Sequence, residues 1–115
     1  MSEINQITEK INKFRDDRDW MQFHDPKNMA VSIILEASEL LEHFQWKTTE
    51  EVEKYAKQNH ADIQDEIADI SLYLFELADN LGINLISAME EKLKKNEVKY
   101  PVEKAKGKHT KYNKL

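Results

Sequence analysis

Four carboxylates in two evenly spaced pairs are the residues best suited to chemistry. Glu36 and Glu39 are three positions apart, and so are Glu66 and Asp69. On a helix such a pair lies about 60° apart around the axis and about 4.5 Å apart along it, so each pair projects from one side. Two helices packed together would gather four acids around one small space. Like charges so placed repel unless a cation sits among them. Three readings compete. The acids can be solvated surface groups. They can hold a di-iron centre, but that requires two Glu-x-x-His repeats, and the chain has none, since Glu39 and His43 are four apart. They can form an all-oxygen cluster for Mg²⁺ or Mn²⁺, hard ions that bind phosphate chains and activate water. Each pair borders an apolar stripe, which weighs against a solvated face. On spacing alone the first and third readings stay open.

The elements that must position these acids are helical. Ile4, Ile7, Ile11 and Phe14 form one apolar stripe and predict a first helix over Glu3 to Arg18. Pro26 then suits the first turn of a second helix, Lys27 to Phe44, with Met29, Ile33, Ala37, Leu40 and Phe44 as its core stripe. Thr48 or Thr49 can cap a short helix that runs to about Gln58. Asn59 to Asn80 is the longest helix, with a seam of Ile63, Ile67, Ile70, Leu74, Leu77 and Leu81. Gly82 and Asn84 mark a stop and a new start. Leu85 to about Asn96 is the last helix, and Tyr100-Pro101 ends regular structure. The expected fold is all-α: a four-helix bundle with one additional short helix and a basic C-terminal tail. The expected division is residues 1–100 as the domain and 101–115 as a basic arm.

Composition narrows the function classes. The 115 residues include two Gly, two Pro and no Cys. Disulfides, thiolate metal sites and a cysteine nucleophile are excluded, and a reducing cytosol is compatible. No run is long and apolar enough to span a membrane, and the N-terminus lacks a signal-peptide core, so a cytoplasmic location is expected. Net charge is −5, yet residues 99–115 carry six Lys and one Glu, a balance of +5. Residues 1–98 therefore hold −10, an acidic body that argues against nucleic-acid binding. Between the first two helices lie Trp20, Phe23 and His24, either packing at the bundle end or walling a pocket for a flat ring. Trp46 sits at a later turn, with packing as its default role and a ligand lid as the sharper one. Lys92 and Asn96 share a face of the last helix and would complement phosphate charge. His24-Asp25 is an HD dipeptide, but no histidine precedes it, so HD phosphohydrolase chemistry fails.

The pattern Glu36-x-x-Glu39, then Glu66-x-x-Asp69, resembles the acidic signature of the all-α MazG-like nucleoside triphosphate pyrophosphohydrolases. Arg18-Asp19-Trp20-x-x-Phe23-His24-x-Pro26-x-Asn28, Phe44-Gln45-Trp46-Lys47, Tyr73 and Lys92-x-x-x-Asn96 with Lys99-Tyr100-Pro101 are similar to its dCTP pyrophosphatase branch. The resemblance implies hydrolysis of a nucleoside triphosphate between the α and β phosphates. It implies Mg²⁺ ions held by Glu36, Glu39, Glu66 and Asp69, with Glu36 or Glu39 orienting the attacking water. Trp20, His24 and Trp46, with Phe23 in the same loop, would line the nucleoside pocket. Tyr73 would meet the sugar or nearby phosphate, and Lys92 and Asn96 the phosphates. Members are homodimers or homotetramers. The likeness departs at Ile11, where some animal members carry a histidine, and in the loop between Trp46 and Glu66, which leaves base choice open. The rival reading is a non-catalytic helical module that binds nucleotides or regulates without cleaving.

Overall fold

The computed structural model describes residues 1–115 and is all-helical. It contains α1 (Glu3–Asp17), a 3₁₀ turn (Met21–Phe23), α2 (Pro26–Glu42), α3 (Thr49–Gln58), α4 (His60–Asn80), α5 (Leu85–Lys99), α6 (Val102–Ala105) and a final 3₁₀ turn (Tyr112–Lys114). The four long helices and the short one expected from periodicity are all present.

The helix starts follow local chemistry. Ser2, Asp25, Thr48 and Asn84 each accept a hydrogen bond from a backbone N–H of the first turn, satisfying donors that a helix leaves unpaired. Pro26 occupies the first turn of α2, where its missing N–H costs nothing. Thr48 and Glu51 form a reciprocal capping box at α3. Asp19 takes a left-handed φ of 54° where the chain turns out of α1. Helix α2 ends at Glu42 rather than Phe44, because Phe44 to Lys47 closes into a turn. Helix α5 continues to Lys99, beyond the expected Asn96. Regular structure also resumes after Pro101, in α6 and the last 3₁₀ turn.

Two compact units divide the chain, Met1–Leu81 and Gly82–Leu115. In the first, α4 is the central element: α2 packs along it, and α1 and α3 pack against it as well. Met29 on α2 is the most deeply buried side chain, at 1% exposure. His43 at the end of α2 bonds Tyr55 of α3 at 2.7 Å (Nδ1 to hydroxyl), tying the short helix in place. In the second unit, Tyr100 and Tyr112 meet edge to face, and the Lys99 ammonium lies over the Tyr112 ring.

The inward faces differ from the apolar stripes in one consistent way. On α2, Met29, Ile33, Glu36 and Leu40 turn inward, while Ala37 is exposed. On α4, Ile63, Glu66, Ile70, Tyr73 and Leu77 turn inward, while Ile67, Leu74 and Leu81 are exposed. On α1, Arg15 is more buried than Phe14. Polar residues thus occupy seam positions that a purely apolar pattern assigns to their neighbours, and the displaced apolar side chains lie outside.

Candidate active site

Because α2 and α4 pack side by side, the two acidic pairs meet. Carboxylate oxygens of Glu36, Glu39 and Glu66 lie within 4.8 Å of one another. Asp69 adjoins them: its charge bears on both Glu36 and Glu66, and it lines the same cavity as Glu36. The fold therefore brings three of the expected acids together, with Asp69 beside them. Oε2 of Glu36 and Oε2 of Glu66 are shut off from solvent and have no hydrogen-bond partner. Burying a carboxylate without a partner is costly, and the titration reflects it. Loss of water, then the adjacent Glu39, Glu66 and Asp69, push the Glu36 carboxyl up to about 7. The Glu66 carboxyl is also raised, first by desolvation and then by the charge of Glu39. Orphaned, closely spaced, oxygen-only ligands fit a hard divalent cation, which would supply the missing partner.

Beside the acids lies a cavity of about 490 Å³, large enough for a nucleoside-sized ligand. Trp20, His24 and Tyr73 contribute to its wall together with Glu36 and Asp69, and Ile7, Ile11 and Phe14 supply apolar surface. The Trp20 ring is held edge to face against Phe14, and the Arg18 guanidinium covers the other ring of that pair at 3.8 Å. Phe23 and Trp46 stand outside these walls. Trp46 is 88% exposed in the turn after α2. Lys92 and Asn96 lie on α5 in the second unit, the first exposed and the second half-buried.

Four lining residues, Lys10, Arg15, Leu72 and Glu76, escaped the sequence reading, and two of them, Glu76 and Arg15, form a polar network. Glu76 is 3% exposed. Its carboxylate accepts from His24 Nδ1–H at 2.7 Å and from Asn80 Nδ2–H at 3.1 Å, with the Arg15 guanidinium at 3.7 Å. Arg15 is itself fixed by Asp16, Asn12 and Asn80. The signal for both was helical register. Arg15 follows Ile11 by four positions and Glu76 follows Tyr73 by three, which places each on an inward face.

A helical unit in which two acidic pairs meet beside an aromatic-walled cavity defines a class, and the profile of the MazG-like family matches residues 31–115. The chain belongs to the MazG-like family. It is 37% identical to dCTP pyrophosphatase 1 of Bos taurus over 105 residues, and 35% identical to that of Homo sapiens over the same length, covering 90% of this chain in each case. The chain spans about 62% of the length of these relatives. A crystal structure of a pyrophosphatase from Archaeoglobus fulgidus superposes with a TM-score of 0.84 at 40% identity, covering 88% of this chain and 94% of that one.

Proposed function

We propose that the protein is a Mg²⁺-dependent nucleoside triphosphate pyrophosphohydrolase. Its substrate would be a deoxynucleoside triphosphate, dCTP or a modified pyrimidine, cleaved to the monophosphate and pyrophosphate as part of clearing the cytoplasmic nucleotide pool. The observation that carries this reading is the orphaned carboxylate cluster opening beside the aromatic cavity. The names of the relatives support it.

Glu36, Glu39, Glu66 and Asp69 would hold the cation, Mg²⁺ or Mn²⁺. When bound, it neutralises phosphate charge and polarises water. Water adds across the α–β anhydride: its oxygen bonds phosphorus, the bridging P–O bond breaks, and pyrophosphate leaves. Glu36 or Glu39 orients that water and receives its proton. Trp20 and Tyr73 would offer faces for base and sugar and His24 a polar edge, with Phe23 in the same loop contacting substrate and Trp46 acting as a lid. Much of the rate then comes from positioning and charge compensation. Exposed Ile34, Leu35, Leu41, Ile67 and Leu74 on α2 and α4 support assembly as a homodimer or homotetramer, since a second copy would cover them.

The test is pyrophosphate release from a panel of nucleoside triphosphates with and without Mg²⁺. Release that requires the cation and favours pyrimidine deoxynucleotides is expected. Release from none of them overturns the reading and favours a non-catalytic binding module.

A further inference from the structure

We infer that Glu76 is a specificity-determining residue that selects a base bearing an exocyclic amine. The inference rests on the pyrophosphohydrolase reading. Glu76 is buried, lines the cavity, and belongs to none of the acidic pairs. Three groups fix its carboxylate. Asn80 donates to Oε2, and His24 Nδ1–H spans both oxygens, at 2.7 Å to Oε2 and 3.0 Å to Oε1. Arg15 compensates its charge from 3.7 Å. Oε1 therefore receives only the longer arm of one shared bond, and a carboxylate oxygen has capacity for more.

The same contact sets the histidine. A carboxylate can only accept, so Nδ1 of His24 carries the proton, and in the neutral ring Nε2 is left as an acceptor. Four of the five N–H groups of Arg15 bond Asp16, Asn12 and Asn80, which leaves one Nη2–H free. Ile11, on the same wall, offers no polar atom. Apart from Glu36, Asp69 and the Tyr73 hydroxyl, the side-chain acceptors lining the cavity are the Glu76 carboxylate and, in the neutral ring, His24 Nε2, with Lys10 and Arg15 as the cavity's basic residues.

Two acceptors match an –NH₂ group, which brings two hydrogens. Cytosine presents that group at its 4-position, whereas uracil presents a carbonyl oxygen there with a single N–H beside it. A carbonyl facing the carboxylate would bury two acceptors with no proton between them. Sites built around a substrate hydrogen bond reject analogues that cannot make it far more strongly than apolar pockets reject a change of size.

The experiment compares kcat/KM for dCTP and dUTP in the unmodified protein and in Glu76→Gln. The unmodified protein should favour dCTP by about tenfold or more, and Glu76→Gln, whose amide also donates, should shrink that ratio by about tenfold. A purely structural role would lower both values together. An unchanged ratio in Glu76→Gln overturns the inference, as does an unmodified protein that favours dUTP. The latter arm stands even if the variant does not fold. Turnover of no triphosphate at all overturns the pyrophosphohydrolase reading and this inference with it, whereas turnover with a flat ratio overturns the role of Glu76 alone.

Discussion

Helix α4 carries two inward glutamates ten positions apart, Glu66 and Glu76, and their surroundings are opposite. Glu76 is buried among partners: a histidine, an asparagine and an arginine converge on it. Glu66 faces other acids, and one of its oxygens has no partner. Desolvating a charge is tolerable only with compensation. At Glu76 the chain supplies it internally. At Glu66 and Glu36 one carboxylate oxygen of each finds no such partner within the chain, as expected of acids that would hold a cation.

The comparison can be broken most decisively through catalysis. Glu39→Gln or Asp69→Asn should reduce pyrophosphate release by more than about a hundredfold, while the circular dichroism stays helical. Retained activity in either would mean the open cluster is not the working one. Next comes stability. Glu76→Ala takes the acceptor from His24 Nδ1–H and Asn80 Nδ2–H and opens a cavity, and should destabilise the fold by about 2 kcal/mol, measured by urea denaturation. A loss below about 1 kcal/mol would show that the closed network contributes little.

The smallest expected effect is the most diagnostic of the open cluster. The Glu36 carboxyl titrates near 4.5 when unfolded and at about 7 when folded. Between those values the folded chain holds the extra proton. Stability from this group is therefore full below the unfolded value and is lost as pH rises through about 7. Without divalent cation, the melting temperature should fall across that window more steeply in the unmodified protein than in Glu36→Gln. Mg²⁺ should flatten the slope for the unmodified protein and not for the variant. Parallel slopes would contradict the raised carboxyl.

Much of this was legible in the sequence. Apolar spacing located every long helix, and the acid spacing located the cluster, because both depend on one helical period. What spacing missed was which residues face inward. Ala37 and Ile67 read as core and Glu36 and Glu66 as its border, since a stripe is drawn through apolar residues. The structure reverses each pair of neighbours. Hydropathy ranks a glutamate as surface, and only packing against a second acid-bearing helix reveals that the charged member of each pair is the less exposed one. Glu76 was missed for the same reason, and its partners Arg15 and His24 are too distant in sequence to mark it. Trp46, by contrast, was conspicuous in composition yet stands exposed outside the cavity.

Helix α2 meets α4 only after a stretch of some thirty residues has closed between Glu36 and Glu66. In the unfolded chain these carboxylates are far apart and hydrated, so their repulsion does not exist there. It enters when the two helices dock. A cation held there would therefore act on the time course of folding as well as on its end point. If docking precedes the rate-limiting barrier, added Mg²⁺ should accelerate folding; if it follows, added Mg²⁺ should slow unfolding. In either case the acids that would hold a cation also bear on when the central helices come together.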